Sequence, residues 1–260
     1  MLGSFDGKAV IVTGAAGGIG AETARLFAQL GASLTLVDID GDAVEALAAE
    51  LGGARALRAD VSRAEDVGRY VDETVAAFGR LDVVVNNAAY LRVGEAHAFE
   101  EAEFDRHWHV NVKATWLSAK LGREPLRATR GSIVAVASVD ALVAEAGLVP
   151  YSASKAALLN LCRGLALELG PLGVRVNAVL PGPTDTQLLD WAIAQSSEDV
   201  AGVKAERSKR SPLGRLNRPE EIAAVIAFLA SDAAAGVTGA GWVADAGLTA
   251  APDFVYSEPA

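Results

Sequence analysis

The fold of this chain is decided by one stretch near its start, Ala9-Val-Ile-Val-Thr13-Gly14-Ala15-Ala16-Gly17-Gly18-Ile19-Gly20. Its first five residues are apolar or β-branched, which predicts a buried strand, and the glycines predict a tight turn. A helix is predicted next, and its N-terminus offers unpaired N–H groups and a partial positive charge, which suit a pyrophosphate. An ordinary glycine-rich turn is the alternative. Because a dinucleotide binds such a loop in doubly wound domains, the candidate cofactor-binding residues are Gly14, Ala16, Gly17, Gly18, Ile19 and Gly20.

Short apolar runs alternate with longer amphipathic stretches along most of the chain. The runs predict strands at residues 9–13, 33–38, 54–60, 81–86, 132–138, 174–180 and 241–245. The amphipathic stretches predict helices near residues 18–30, 41–51, 63–78, 101–123, 151–169 and 219–231. Strands that are apolar on both faces and separated by helices form parallel sheets covered on both sides. We therefore expect one α/β domain over residues 1–260, with a Rossmann-type, doubly wound, seven-stranded parallel sheet and helices on both faces.

The composition excludes several classes of protein. Of the 260 residues, 51% are hydrophobic and 22% are charged, which is unlike a disordered chain. The formal net charge of −10 argues against nucleic acid or an anionic membrane as a partner, because both select a positive surface. The apolar runs, such as residues 222–230, are too short to span a bilayer, and no signal peptide is visible. Cys162 is the single cysteine, so we expect no disulfide framework and a reducing, cytoplasmic location.

Residues 182–219 interrupt the alternation, because this stretch contains no predicted strand. Long segments without sheet inside a compact domain are usually functional. We expect residues 184–212 to form a substrate-binding lid whose polar part, 195–203, is flexible, and residues 251–260 to form a C-terminal tail. Closure of the lid would bury its apolar residues over the site: Leu188, Leu189 and Trp191.

An aspartate at the end of the second predicted strand indicates which dinucleotide is bound. Asp38 lies 18 residues after Gly20, where a carboxylate typically accepts hydrogen bonds from the adenosine ribose. It would repel a 2′-phosphate, and the glycine loop contains no lysine or arginine. The alternative is an aspartate that only caps the next helix. We therefore expect NAD rather than NADP, with Asp38 and its neighbour Ile39 among the cofactor-binding residues.

Tyr151 and Lys155 lie at positions i and i+4 of a predicted helix, which places both side chains on one face. A cation beside a phenol lowers the pKa of the phenol, and an acid or base that works near neutral pH needs that shift. Ser138 ends the predicted strand 13 residues before Tyr151, where ligands gather in doubly wound folds. A tyrosine–lysine pair at this spacing is also frequent on protein surfaces, but the serine at the strand end favours a catalytic site.

These residues and several further motifs resemble those of the short-chain dehydrogenase/reductase family over Lys8 to Gly247, almost the whole chain. The family's cofactor motif is similar to Thr13-Gly14-x-x-x-Gly18-x-Gly20, and its Asn-Asn-Ala-Gly segment to Asn86-Asn87-Ala88-Ala89. Its catalytic tetrad is matched by Asn111, Ser138, Tyr151 and Lys155. Its other cofactor contacts are matched by Asp60, Val61, Asn87, Ala88, Ala89, Pro181, Gly182 and Thr184. Its last motif, usually Asp-Gly-Gly, is Asp245-Ala246-Gly247 here.

The resemblance implies an oxidoreductase that passes a hydride between a nicotinamide and a secondary alcohol or ketone. Ser138 and Tyr151 would hold the substrate oxygen, and Tyr151 would take the proton in oxidation and return it in reduction. Lys155 would bind the nicotinamide ribose and lower the pKa of Tyr151. Asn111 would hold a water molecule that links Lys155 to solvent. Tyr151 and Lys155 therefore also count among the predicted cofactor-binding residues.

The substrate is less well defined by the sequence. By family position, the candidate substrate residues are Tyr90, Val139, Asp140, Glu145, Leu188, Leu189 and Trp191. Most of this region is apolar, which favours a hydrophobic or cyclic alcohol, whereas Asp140 and Glu145 would suit a polyol hydroxyl or an amine. The alternatives are a polyol or sugar dehydrogenase, a 3-oxoacyl-thioester reductase, a regulator that binds nucleotide without activity, and an extended-type epimerase or dehydratase. The intact tetrad argues against a regulator, and the short chain argues against the extended type.

Three further expectations concern metals, assembly and charge. His107 and His109 lie two residues apart in a predicted helix and face different directions, so we expect no metal site. Helix 151–169 is apolar around more of its surface than a sheet-covering helix needs, and a symmetric partner usually buries such a surplus. We expect a homotetramer, with the helix near 101–123 sharing the interface. A basic cluster in the lid is expected to be a solvated face or, alternatively, to bind an acidic substrate group: Lys204, Arg207, Lys209 and Arg210.

Overall fold

The computed structural model describes residues 3–250 and shows strands and helices in regular alternation. The strands are β1 (Ala9–Thr13), β2 (Ser33–Asp38), β3 (Arg55–Arg58), β4 (Val83–Asn86), β5 (Ser132–Val136), β6 (Arg175–Pro181) and β7 (Gly241–Ala244). The α-helices are α1 (Gly18–Gln29), α2 (Gly41–Leu51), α3 (Ala64–Phe78), α4 (Glu101–Trp108), α5 (Ala114–Leu121), α6 (Arg123–Thr129), α7 (Val149–Leu169), α8 (Gln187–Ala194), α9 (Val200–Lys209) and α10 (Pro219–Ala230).

Residues 3–250 form one seven-stranded sheet in the order β3-β2-β1-β4-β5-β6-β7, and every neighbouring pair is parallel. The chain runs from β1 outward to β2 and β3, and then returns to place β4 on the other side of β1. The direction of winding therefore reverses between β1 and β4, where Val10 lies between Leu34 and Val83. Ligands of doubly wound sheets bind at this point, beyond the carboxyl ends of the strands.

Each face of the sheet has its own hydrophobic core, because successive side chains of a strand point to opposite faces. Ile11 packs on the face that α3, α5 and α7 cover, with Tyr70 and Leu158 among the buried side chains. Val10 packs on the other face, which α1, α2 and α10 cover with side chains that include Phe27. Burial on both faces explains why the inner strands β1, β4, β5 and β6 are apolar runs rather than alternating patterns. The predicted fold class is confirmed.

The helix predicted over residues 101–123 is interrupted. α4 passes into a π-helical turn, His109–Lys113, before α5 begins. Such turns insert one residue into a helix and occur frequently at functional sites. Here the turn carries Asn111, which is 2% exposed. Gly122 separates α5 from α6, a short helix that the sequence did not predict.

Residues 182–219 contain no strand, as predicted, but much of the segment is helical. α8 and α9 are joined by residues 195–199, and a single parallel bridge between Thr184 and Asn217 closes the base of the excursion. Side-chain caps start both helices: the Thr186 hydroxyl accepts the N–H of Leu189, and Asp199 caps α9 in the same way.

The predicted tail, residues 251–260, lies outside the described residues. Across residues 3–250, no helix combines the length and the hydropathy that crossing a bilayer requires.

Candidate active site

The turn after β1 depends on two glycines whose surroundings leave no space for a side chain. Gly14 has a φ of +63°, and a Cβ there would lie 2.7 Å from the Cα of Ala88. A Cβ on Gly20 would lie 2.0 Å from the carbonyl oxygen of Gly14. α1 begins after Gly17 with no side-chain cap and no acidic residue in its first turn, so its N–H groups are available to an anion. The turn therefore fits the pyrophosphate of a dinucleotide.

Asn87 fastens this turn to the end of β4. Its side-chain amide donates to the carbonyl oxygens of Thr13 at 3.0 Å and Gly14 at 2.9 Å. The backbone N–H groups of Asn87 and Ala88 donate to the Thr13 hydroxyl at 3.1 and 3.2 Å. These four bonds hold the ends of β1 and β4 at a fixed separation, which defines one end of the crevice.

A cavity of about 460 Å³ lies beside the glycine turn. Asp38 stands in its wall, where the carboxylate accepts the N–H of Ala16 at 2.9 Å and the N–H of Asp40 at 3.1 Å. Most of the predicted cofactor residues line this cavity: Gly14, Gly17, Gly18, Ile19, Asp38, Ile39, Asp60, Val61, Asn87, Ala88 and Ala89. Ala16 is not in the wall but positions Asp38, and Gly20 packs behind Gly14.

A larger cavity, of about 1030 Å³, adjoins the first. The two cavities share five lining residues, namely Ile19, Asn87, Ala89, Thr186 and Leu188. The wall of the larger cavity holds the predicted catalytic and nicotinamide-end residues Ser138, Tyr151, Lys155, Pro181, Gly182 and Thr184. An elongated ligand held at the glycine turn can therefore extend to the tyrosine.

Tyr151 is buried at 9% exposure, and burial raises its pKa above the ordinary value because it disfavours the charged phenolate. The negative charge of Asp140 raises the pKa further, Glu145 adds to it, and hydrogen bonding with the Ser138 hydroxyl opposes the shift. The sequence predicts the opposite direction, a pKa lowered by Lys155. Burial and the two carboxylates together outweigh the one opposing effect, the hydrogen bond with Ser138, so the pKa of Tyr151 lies above its ordinary value.

Lys155 is 2% exposed, and its Nζ donates to the backbone carbonyl oxygen of Val136 at 2.7 Å. Burial lowers the pKa of Lys155 to about 8, against the attraction of Asp140. The Nζ lies 5.4 Å from the centre of the Tyr151 ring, as expected for two residues one helical turn apart. Val136 uses one of the three hydrogens that an ammonium can donate.

Asn111 lines neither cavity but fastens the loop after β4 to α7. Its Oδ1 accepts the N–H of Tyr90 at 2.7 Å, and its Nδ2 donates to the Tyr90 carbonyl and the Ser154 hydroxyl, both at 2.9 Å. Ser154 in turn donates to the backbone carbonyl of Tyr151 at 2.7 Å. Both amide hydrogens of Asn111 are therefore committed to protein atoms, and the predicted water link between Asn111 and Lys155 stays a prediction.

Five of the seven predicted substrate residues line the larger cavity: Val139, Asp140, Glu145, Leu188 and Leu189. The structure places the other two elsewhere. Tyr90 lines the smaller cavity, with its ring 4.7 Å from that of His107 and the Arg106 guanidinium 4.6 Å from its centre. Trp191 lines neither cavity and is 45% exposed. Its position on α8 follows from the helical period, because Leu188, Leu189, Ala192 and Ile193 occupy the face that meets the cavity.

Sequence reasoning missed several lining residues: Thr186, Gln187, Leu248 and Thr249. Arg207 and Arg210 of the basic cluster also line the larger cavity. A cap signal marks Thr186 as the start of a helix, but no local pattern shows that this helix begins beside the glycine turn. Thr249 reaches the cavity because its N–H and hydroxyl both donate to Asp245 at 2.7 Å, after the end of β7.

Neighbouring carboxylates neutralise most of the basic cluster in the lid. Lys204 contacts Asp185 and Asp190, both at 2.6 Å, which ties α9 to α8. Arg207 pairs with Glu145 at 2.7 Å, which ties α9 to the loop after β5. Within residues 3–250, no three histidine, cysteine, aspartate or glutamate side chains are grouped as metal ligands.

Known proteins share this arrangement. A family model described as Enoyl-(Acyl carrier protein) reductase matches residues 14–249. The chain is 40% identical over 250 residues to D-threitol dehydrogenase of Mycolicibacterium smegmatis, covering 94% of each chain. It is 40% identical over 252 residues to cis-4-hydroxycyclohexanecarboxylate dehydrogenase of Sinomonas cyclohexanicum, covering 95% of this chain and 98% of that one. The structure of 3-ketoacyl-(acyl-carrier-protein) reductase from Brucella melitensis complexed with NADH matches with a TM-score of 0.85 at 31% identity, covering 95% of this chain and 100% of that one.

The doubly wound sheet, with a glycine turn at its switch point beside two joined cavities, is the architecture of a dinucleotide-binding α/β protein. The family match and the relatives make the assignment more specific: the chain belongs to the short-chain dehydrogenase/reductase family, which uses nicotinamide cofactors. The resemblance drawn from the sequence motifs is confirmed.

The two glycines of the turn provide a matched test of its geometry. Gly14→Ala should lower the free energy of unfolding by about 2–4 kcal/mol, because Cβ would be in a left-handed conformation and overlap Ala88. Gly17→Ala should cost less than about 1 kcal/mol, because Gly17 is extended and its Cβ would meet nothing closer than 3.8 Å. Urea unfolding followed by circular dichroism measures both. Equal stability of the two variants would contradict the turn described here.

Proposed function

We propose that this chain is an NAD-dependent alcohol dehydrogenase or ketoreductase, which transfers a hydride between a nicotinamide and a secondary alcohol or ketone. One observation carries the proposal: Ser138, Tyr151 and Lys155 stand in the wall of a cavity that adjoins the glycine turn. The dinucleotide supplies the hydride acceptor or donor, and the protein supplies binding, orientation and proton transfer. A regulator that only binds nucleotide would have no need of these three groups in one wall.

In the proposed reaction, Ser138 and Tyr151 hold the substrate oxygen, and Tyr151 exchanges the proton. Because burial raises the pKa of Tyr151, the phenol form prevails at neutral pH and is ready to donate in reduction. Oxidation requires the phenolate and therefore becomes faster as the pH rises. Lys155 retains two hydrogens for the hydroxyls of the nicotinamide ribose. Asn111 acts as a positioning residue, because it connects Tyr90 to α7 through Ser154.

The residues of the smaller cavity fit NAD better than NADP. Asp38 is held in the wall by two N–H groups, so its carboxylate has little freedom to withdraw from a 2′-phosphate. The wall contains one cationic side chain, Arg106, whose guanidinium lies over the ring of Tyr90. In this proposal Asp60 and Val61 contact the adenine, and Pro181, Gly182 and Thr184 lie beside the nicotinamide.

A hydrophobic or cyclic secondary alcohol is the substrate that the larger cavity favours. Its walls are largely apolar and include Val93, Val143, Leu148, Leu188, Leu189 and Ile193. The similarity to a dehydrogenase of a hydroxycyclohexane carboxylate supports a cyclic alcohol. Similarity to D-threitol dehydrogenase keeps a polyol as the second candidate, because Asp140 lines the same cavity. Similarity to a 3-ketoacyl reductase keeps a thioester as a third, and because that structure is complexed with NADH, the carboxylate of Asp38 does not argue against it.

The lid, the assembly and the location complete the proposal. Residues 184–212 act as a lid, since the Arg207–Glu145 pair joins α9 to the loop that carries Asp140.

Leu167 on α7 is 80% exposed, and Trp242 on the edge strand β7 is 42% exposed. Such apolar surface supports a homotetramer. A single buried cysteine, Cys162, supports a reducing, cytoplasmic location.

Coenzyme preference tests the role of Asp38. With the best alcohol, catalytic efficiency should be at least about a hundredfold higher with NAD than with NADP, because a fixed carboxylate repels a phosphate. Asp38→Asn should reduce that ratio by about tenfold or more. Asp42→Asn, which removes an equal charge from the exposed start of α2, should leave it unchanged. Steady-state kinetics with equal use of both coenzymes by the wild type would contradict the proposal.

Removing the hydroxyl of Tyr151 tests the proton transfer. Tyr151→Phe should lower kcat by about 10²–10⁴ or more, because the ring is retained while no proton can move. NADH binding, measured by fluorescence titration, should change less than about threefold. Tyr70→Phe is a matched control, because it removes a buried hydroxyl that bonds Ser118 on α5, away from both cavities. Retention of more than a tenth of the wild-type kcat by Tyr151→Phe would show that another group moves the proton.

Light scattering tests the assembly. At micromolar concentration the wild type should have the mass of a tetramer, because the apolar surfaces of α7 and β7 are buried between copies. Leu167→Glu should shift the mass to a smaller species, since it places a charge on the most exposed large apolar side chain of α7. A monomeric wild type would refute the proposed assembly.

A further inference from the structure

Asp140 is held against the serine that stands at the reacting end of the larger cavity. The Ser138 hydroxyl donates to the Asp140 carboxylate at 2.9 Å, and the Asp140 N–H donates back to the same hydroxyl oxygen at 3.1 Å. Among the described residues, no other side chain donates to this carboxylate. Asp140 itself lines the cavity and is half-buried. It therefore has acceptor capacity left where the substrate binds.

The charged groups around Asp140 have partners of their own. Arg207 on α9 is bound by Glu145, which follows Asp140 in the same loop. Lys155 on α7 donates to the Val136 carbonyl, and Tyr151 on α7 faces the carboxylate as a neutral phenol. Arg207 and Lys155 attract Asp140 only at a distance, against the effect of burial and the repulsion of Glu145. A hydrogen-bond donor on the substrate would therefore stabilise the Asp140 carboxylate, which no cationic side chain among the described residues contacts directly.

Neutral donors suit this cavity better than cationic ones. Its wall contains as many cationic side chains as carboxylates, namely Lys155, Arg207 and Arg210 against Glu95, Asp140 and Glu145. The cavity therefore offers no net attraction to an ammonium, and Lys155 would repel one beside Asp140. A hydroxyl donates to a carboxylate without bringing a charge.

The separation between Ser138 and Asp140 indicates where that hydroxyl lies on the substrate. To hold the reacting oxygen together with Tyr151, the Ser138 hydroxyl turns its single hydrogen from Asp140 to the substrate, which leaves Asp140 without that donor. The Asp140 oxygen lies 2.9 Å from the Ser138 oxygen. Two oxygens on neighbouring carbons in a gauche arrangement are separated by a similar distance, about the length of a hydrogen bond. A hydroxyl on the adjacent carbon therefore reaches Asp140 while the first oxygen reaches Tyr151.

We propose that the substrate is a 1,2-diol on an otherwise apolar carbon skeleton, whose second hydroxyl donates to Asp140; this inference rests on the proposed function. The first hydroxyl loses its proton to the Tyr151 phenolate, and the C–H bond of the same carbon breaks. The electron pair of that bond leaves with the hydrogen as a hydride to NAD⁺, and a C=O bond forms. The products are an α-hydroxy ketone and NADH, and the proton passes from Tyr151 to solvent.

Two matched pairs of alcohols test the inference: cyclohexanol against 1,2-cyclohexanediol, and 2-butanol against 2,3-butanediol, each with NAD. The wild type should have a kcat/KM about ten- to hundredfold higher for the diol of each pair, the effect of one hydrogen bond to a charged group. Asp140→Ala and Asp140→Asn should each lower kcat/KM for the diols by about that factor. For the simple alcohols, both variants should raise kcat/KM at neutral pH rather than lower it, because the charge of Asp140 no longer opposes the Tyr151 phenolate. The preference for the diols should therefore collapse.

Controls separate recognition from a structural effect. Glu206→Gln removes an equal charge from α9 outside the cavity and should preserve the diol preference. NADH binding by both Asp140 variants should match the wild type, which shows that the site is folded. In Asp140→Asn, the pH at which oxidation reaches half its maximal rate should fall, because the charge of Asp140 raises the pKa of Tyr151.

Each remaining outcome overturns a definite statement. Oxidation of simple alcohols and diols with equal efficiency, or an unchanged preference in both Asp140 variants, overturns the diol inference and leaves the dehydrogenase proposal standing. A wild type that forms no NADH with any alcohol overturns the proposed function, and the inference with it.

Discussion

The attachment of the glycine turn to the end of β4 is the constraint on which the rest of this structure depends. Hydrogen bonds of 2.9–3.2 Å that involve Thr13 and Asn87 form this attachment. The two residues follow neighbouring strands, β1 and β4, and after these strands the chain leads to opposite sides of the sheet. The attachment is possible only because Gly14 presents no Cβ to the loop after β4. The crevice runs from Asp38 at one end to Tyr151 at the other, which is the path that we propose for the dinucleotide.

Burial shifts the pKa values of the two catalytic candidates on α7 in opposite directions. Desolvation favours the neutral form of each, so the pKa of Tyr151 rises and that of Lys155 falls to about 8. Lysine is thereby brought close to the pH range in which enzymes work, whereas tyrosine is moved away from it. Ionisation of the phenol consequently depends on the charges around it. Of the two carboxylates that raise the pKa of Tyr151, Asp140 has the larger effect.

The sequence predicts those parts of the fold and site whose cause is local. A β-branched run predicts β1, and the glycines after it predict a tight turn that leads into α1. Helical spacing alone predicts that Tyr151 and Lys155 share one face of α7. The π-helical turn at Asn111 is not predictable in this way, because its amide is matched to the distant Tyr90 and Ser154. Trp191 shows the same limit, because only the packing of α8 decides which apolar residues meet the cavity.

In the proposed reaction, Asp140 couples substrate recognition to proton transfer, which neither its sequence position nor its burial alone would reveal. Its negative charge raises the pKa of Tyr151 and so opposes the phenolate that oxidation requires. A hydroxyl that donates to Asp140 spreads this charge into the substrate and weakens its effect on the phenol. A bound diol would then reduce the effect of Asp140 on the pKa of Tyr151 and so lower the barrier to its own oxidation. A simple alcohol has no second hydroxyl, and the effect of Asp140 on Tyr151 would remain unchanged. The contact between the second hydroxyl and Asp140 thus affects kcat as well as KM. It strengthens substrate binding, and it also favours loss of the proton from the first hydroxyl to Tyr151.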